Sequence, residues 1–346
     1  MVEVTYRDDI IKTTWLSLPW EKLDGCNILV TGATGLVGGC LIEVLMSRRE
    51  GGYQVWATGR DEERSRLCLS RFADDSRFHF LRWEATQPLD CDIPFHYIIH
   101  AASNASPNFF ATQPVETMMS NILGVRNLMK YGIRHDMHRL LYVSTGEVYG
   151  EGDGRNFIEE YSGYVNPLLA RNCYPNSKRA AETLCASYIA EYGVSCVIAR
   201  PCHTYGPHFT PQDNRVYAQF IRNVLHGEDI VMKSAGTQFR SWCYVVDTVA
   251  ALLYILLKGE CGEAYNVADP ESNISIRELA EMVASIGGRK VVVELPDAAE
   301  QAGYNLVTRS VFSVERLSRL GWGIMKGSMY DKMERTIKDI INNKAQ

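Results

Sequence analysis

The sequence predicts an α/β fold, a doubly wound parallel sheet with a smaller, interwoven C-terminal substrate lobe. Three observations carry that prediction. Apolar strands alternate with helix-length segments from residue 27 to residue 200, the order that builds a parallel sheet. Glycines 32, 35 and 38 punctuate the first strand-to-helix junction. After Pro201 the alternation gives way to loops rich in Pro, Gly and polar residues, at 205–212 and 233–238.

Taken in order, residues 1–26 read as a lead-in helix and turn. Strands follow at 27–31, 53–58, 77–82, 95–102, 139–144 and 194–200, each a short apolar or β-branched run. Helices are expected at 36–46, from Asp61 onward, at about 114–131 and at about 176–192. The dinucleotide-type domain is placed at 1–200 with a return segment at about 240–270. The substrate lobe is placed at 201–239 and 271–346, with no flexible linker between the two.

Composition narrows the function. With 346 residues, 46% hydrophobic and 22% charged, the chain is an ordinary globular protein. A net charge of −5 gives no basic stripe for nucleic acid or an anionic membrane. The longest uncharged apolar run, 249–257, is too short to span a bilayer. The first fifteen residues hold early acids and no signal-peptide core, so a cytoplasmic address is expected. Ten cysteines are scattered with no C-x-x-C pair and read as buried, reduced thiols. His203 and His208 flank Tyr205-Gly-Pro207 without a completing ligand, so no metal is expected.

Two motifs carry chemistry. In the first, the glycines allow a tight turn after the strand, close backbone approach to a phosphate, and close helix–strand packing. A pyrophosphate would sit on the free N–H groups at the helix start. In the second, Tyr174-Pro-Asn-Ser-Lys178, the tyrosine and lysine lie one helical turn apart on one face. An ammonium beside a phenol favours phenolate and proton exchange below the usual pKa near 10. Among 18 tyrosines about one such pair arises by chance, so the pair persuades only beside Ser144-Thr-Gly-Glu-Val-Tyr-Gly150 upstream.

Together these motifs resemble the extended short-chain dehydrogenase/reductase family, whose members act on nucleotide sugars on a Rossmann-type sheet. The resemblance runs from about residue 27 to 325. It includes His100-Ala-Ala-Ser103, Asn121-Ile-Leu-Gly124, Ala199-Arg-Pro201 with Tyr205-Gly-Pro207, Arg240 to Asp247, and Leu320-Gly-Trp322. Within the family, Glu160 to Pro167, Arg171-Asn-Cys-Tyr174, Lys178 to Thr183 and Asp213-Asn-Arg-Val216 look most like UDP-glucuronate decarboxylases. Sugar-nucleotide 4,6-dehydratases are also similar.

The resemblance implies that Tyr174 takes the proton of the sugar 4-hydroxyl, that Lys178 lowers the Tyr174 pKa and binds the nicotinamide ribose, and that Thr145 holds the reacting oxygen. Glu147 matches the acid/base position. Gly32, Thr34, Gly35, Leu36, Val37, Gly38, Ala101, Ala102, Ser103 and Arg200 would face the NAD(P) cofactor. Asn104, His203, Arg215, Arg240 and Arg309 would face the sugar nucleotide, the arginines as phosphate or active-site forks. A homodimer through the helices at about 114–131 and 176–192 is implied as well.

The chain departs from the family at four positions. Gly146 stands where the dehydratases carry Asp and the decarboxylases Ser. His203 replaces an asparagine, and Asn104 a proline. Gly59 stands where NAD-specific members place an aspartate, and with Arg60 beside it favours NADP(H) over NAD(H). Three functions follow: oxidation at sugar C4 with internal cofactor recycling, decarboxylase- or dehydratase-like; net reduction of a 4-ketosugar nucleotide by NADPH; or a non-catalytic dinucleotide sensor.

Overall fold

Strands such as Asn27–Thr31 and Arg139–Val143 carry apolar side chains at successive positions, the pattern of a sheet covered on both faces. The computed structural model describes residues 4–294 and 308–344, and it buries both strands almost completely. The part of the expected substrate lobe at 295–307 lies outside the described residues.

The chain runs through α1 (Tyr6–Thr14), β1 (Asn27–Thr31), α2 (Leu36–Ser47), β2 (Gln54–Gly59), α3 (Glu62–Leu69), β3 (Phe78–Arg82) and β4 (Tyr97–His100). Next come α4 (Pro107–Thr112), α5 (Pro114–Arg134), β5 (Arg139–Val143), α6 (Cys173–Tyr192) and β6 (Cys196–Pro201). The second half holds β7 (His203–Tyr205), α7 (Val216–Leu225), β8 (Ile230–Met232), β9 (Phe239–Tyr244), α8 (Val245–Lys258) and β10 (Ala264–Val267). It continues with β11 (Asn273–Ser275), α9 (Ile276–Gly287), β12 (Val291–Val293), β13 (Arg309–Ser310), α10 (Glu315–Arg319) and α11 (Met329–Lys344).

Seven strands form one parallel sheet in the order β10-β6-β5-β4-β1-β2-β3. The order reverses direction beside β1, and at such a switch point a crevice opens at the carboxyl ends of the strands. The run 249–257 lies inside α8, which is buried all round, as an apolar helix must be. A smaller sheet of β11-β9-β13, with β7 also on β9, stands beyond those strand ends. The expected return segment therefore begins later than residue 240: β9 belongs to the smaller sheet, and only α8 and β10 rejoin the large one. Helix α6 likewise begins at Cys173, earlier than expected, because Pro175 falls in its first turn, where a missing N–H is harmless.

A buried ion cluster ties the C-terminal helix to the rest. Lys332 of α11 stands 2.8 Å from Asp247 of α8 and 3.4 Å from Asp269 after β10, all three side chains at most 3% exposed. The Trp322 indole donates to the Asp247 carbonyl at 3.3 Å, and the Met325 N–H to its carboxylate at 2.7 Å. The distant motifs at 240–247 and 320–322 are thus two halves of one joint.

Removing the cation leaves two carboxylates desolvated without compensation. Lys332→Met is expected to lower the unfolding free energy by about 3–5 kcal/mol, measured by urea denaturation. A change under about 1 kcal/mol would show that the cluster contributes little.

Candidate active site

The turn after β1 shapes the cleft. Gly32 adopts φ +70°, and a Cβ there would stand 2.8 Å from the Ala101 carbonyl oxygen and Ala102 nitrogen. A Cβ on Gly38 would stand 2.3 Å from the Gly32 carbonyl oxygen. Only glycine fits at either place. Gly35 caps α2 without a side-chain hydrogen bond, so the first N–H groups of the helix remain available to an anion.

From this turn a polar thread crosses the sheet. The Thr31 hydroxyl meets His100 Nδ1 at 2.8 Å and accepts from the Ala102 N–H at 3.1 Å. Ser103 donates to Asn121 at 2.8 Å, and the Asn121 amide donates to Ser177 at 2.9 Å. Asn121 comes from α5 and Ser177 from α6, so the thread fixes the helix bearing Tyr174 against the glycine turn. Burial pushes the His100 imidazole down to about 3, with help from Lys178, and the ring stays neutral.

Tyr174 and Lys178 share one face of α6, the ammonium nitrogen 5.8 Å from the phenol ring centre. Lys178 is 2% exposed and donates to the Val143 carbonyl at 2.8 Å. Desolvation pushes it down to about 7. Tyr174 stacks on Phe110 of α4 at 4.5 Å and lines the same cleft as Thr145. Its phenol is raised, chiefly by burial and then by the Glu147 charge; Thr145, Arg215 and Arg171 act downward. The expected lowering of Tyr174 by Lys178 is not found, because burial outweighs a charge that is itself weakened.

Glu147 sits after Thr145 on a short helical turn and accepts from Arg171 at 2.8 Å. Arg215 pairs with Asp213 at 2.5 Å, and Arg240 of β9 is 5% exposed. These groups line one cleft of about 1220 Å³ with Gly32, Thr34, Gly35, Leu36, Val37, Gly38, Arg60, Ala101, Ala102, Ser103, Asn104 and His203. That volume exceeds the range for a single small ligand and leaves room for a dinucleotide and a second molecule. Among the described residues, no His/Cys/Asp/Glu cluster can hold a metal, and no helix is long and apolar enough to cross a membrane.

A family model described as the NAD dependent epimerase/dehydratase family matches residues 28–268. The chain belongs to that family. UDP-glucuronic acid decarboxylase 6 of Arabidopsis thaliana is 36% identical over 260 residues, 75% of this chain and 74% of its own. UDP-glucuronic acid decarboxylase 1 of Danio rerio is 32% identical over 81% of this chain and 65% of its own. The fold is shared by a UDP-glucuronic acid 4-epimerase from Bacillus cereus, with TM-score 0.78, 21% identity and coverage of 92% and 99%. The chain is therefore an enzyme of the epimerase/dehydratase family, and the glycine turn, bare helix start and roomy cleft fit a dinucleotide.

Two expected site residues lie elsewhere. Arg200 does not line the family cleft: it pairs with Glu182 at 2.6 Å and donates to the Glu159 carbonyl at 2.7 Å, clamping α6 to the loop before it. Arg309 donates to Asn156 at 2.9 Å and lies over the Phe239 ring, also outside the cleft. Gly59 does not simply open space, because a Cβ there would stand 2.9 Å from the Ser65 hydroxyl. Arg171 and Phe110 were missed. Arg171 lies three residues before Tyr174, and no local pattern marks Phe110.

Because the Lys178 pKa is depressed in the fold, its contribution to stability is present above the unfolded value near 10.4 and lost as pH falls through about 7. Lys178→Met removes that dependence. With no dinucleotide added, the melting-temperature advantage of Lys178→Met over the native protein is expected to be largest below pH 7 and to shrink toward pH 10. A difference flat across that window would contradict the depressed value.

Proposed function

We propose that the enzyme modifies a nucleotide sugar through oxidation at C4, with the cofactor regenerated in each turnover, and that its reaction is UDP-glucuronate-decarboxylase-like. The observation carrying this reading is the convergence of Thr145, Tyr174, Lys178 and the Arg171–Glu147 pair at the inner end of one dinucleotide-sized cleft. The decarboxylases of Arabidopsis thaliana and Danio rerio support the substrate class.

A bound dinucleotide would supply reversible hydride-transfer chemistry at C4. Gly32, Gly35 and Gly38 with the start of α2 would hold its pyrophosphate. Tyr174 removes the 4-hydroxyl proton, and Thr145 orients the oxygen as it becomes a carbonyl. Lys178, charged for part of the time near pH 7, offers its proton or its field to the phenol. In a 4-ketone bearing a C5 carboxylate, the C5–C6 electron pair can pass into the carbonyl as CO₂ departs, and the resulting enolate takes a proton from solvent at C5 to regain the ketone. Arg171 keeps the Glu147 carboxylate in place beside that centre, and Arg215 and Arg240 suit the diphosphate.

The cofactor is inferred to be NADP(H). Ser65 leaves little room for a carboxylate at position 59, and Arg60 and Arg64 line the same end of the cleft. A net NADPH-dependent ketosugar reductase is the second reading, favoured by the same residues.

Mass spectrometry of products from UDP-, dTDP-, GDP- and CDP-sugars, with either cofactor, tests these points together. UDP-glucuronate is expected to lose CO₂ without net cofactor change, NADP(H) to bind at least tenfold tighter than NAD(H), and Tyr174→Phe to lose about 10²–10⁴ in kcat. Stoichiometric NADPH consumption would instead favour the reductase, and tighter NAD(H) binding would sink the cofactor assignment.

We further infer a homodimer through α5 and α6, where Val115, Met119 and Tyr192 are exposed. Light scattering should give twice the chain mass of 39.0 kDa; a single chain mass at micromolar concentration refutes it.

A further inference from the structure

Position 146 lies between Thr145, which lines the cleft with Tyr174, and Glu147, which accepts from Arg171. A side chain here would point at Phe312. A Cβ built on Gly146 stands 2.0 Å from Phe312 Cζ and 2.5 Å from Cε2, closer than any contact allows.

The ring cannot simply swing away. Phe312 is 4% exposed, and its N–H donates to the Ser241 hydroxyl at 3.1 Å. Phe312 forms an isolated bridge to Phe157, whose N–H donates to the Val311 carbonyl at 2.7 Å and whose carbonyl accepts from Ser313 at 2.9 Å. The ring meets Tyr149 edge-on at 5.5 Å and Phe157 at 5.8 Å. Phe312 nonetheless lines the cleft alongside Gly146, Glu147 and Arg240.

We propose that Phe312 is a specificity-determining residue: its ring takes the volume of a side chain at position 146 and gives that stretch of the cleft wall an apolar face. This rests on the nucleotide-sugar reading above. A hydroxyl leaving the sugar carbon nearest this wall needs a proton to depart as water, and hydrocarbon supplies none. A carboxyl group leaving as CO₂ needs no such donor, because the bond electrons move into the 4-ketone and the departing group is neutral. The Gly146–Phe312 pair therefore removes any proton donor for water elimination at position 146, a donor that loss of CO₂ does not require.

The test is a double-mutant cycle of Gly146→Ser, Phe312→Ala and the double variant, read two ways. In thermal melts, Gly146→Ser is expected to lose several degrees in the native background and to lose much less beside Phe312→Ala. An equal loss in both backgrounds overturns the proposal. In calorimetric binding, the double variant is expected to shift the affinity ratio of UDP-glucose to UDP-glucuronate at least tenfold toward UDP-glucose, since a hydroxyl now replaces the ring. An unchanged ratio means that Phe312 only fills the core, and also overturns it. If the native protein binds neither sugar nucleotide, the nucleotide-sugar reading and the specificity role both fall, whereas a failed melt cycle leaves that reading intact.

Discussion

Everything in the cleft depends on how closely the end of β1 is allowed to approach the start of α2. At Gly38 a single added carbon would lie 2.3 Å from the Gly32 carbonyl oxygen, so helix and strand meet backbone to backbone. That contact aims the unbonded N–H groups of α2 into the crevice at the sheet's switch point. It also fixes Thr31, from which the hydrogen bonds through His100, Ala102, Ser103, Asn121 and Ser177 follow. The cofactor end and the Tyr174 helix are therefore not two sites brought together by chance. They are the two ends of one polar line through an apolar sheet.

Burial sets the resting charge state at the other end of that line. Tyr174 is pushed up and Lys178 down, so in the free enzyme the proton rests on the phenol and the amine is only partly charged near pH 7. A site in this state is cheap to keep folded, because neither group holds a full charge in the interior. It becomes reactive when bound charge tilts the balance toward phenolate.

The large sheet was readable because strands buried on both faces leave continuous apolar runs, and the glycine turn because only one residue type fits it. Side-chain partnerships were not readable in the same way. Arg200 sits in a motif beside a strand end, yet Glu182 and the Glu159 carbonyl claim its guanidinium. Arg309 is drawn to Asn156, far away in sequence. The sign of the Tyr174 shift depended on desolvation, which spacing along a helix does not reveal. Gly146 was visible as a departure, but its reason lies in Phe312, two residues past β13 and far from Gly146 in sequence.

The cluster of Lys332 with Asp247 and Asp269 has a consequence for the order in which the molecule assembles. Lys332 follows Asp269 by 63 residues, which a ribosome adds in roughly 3–13 s at 5–20 residues per second. Throughout that interval the emerging chain carries both acids with no cation to meet them, and they stay hydrated. The sheet of β1 to β6 is already complete in the chain by then. Docking of α11 against α8 is thus a late event, because the lysine that pairs both acids is translated after them.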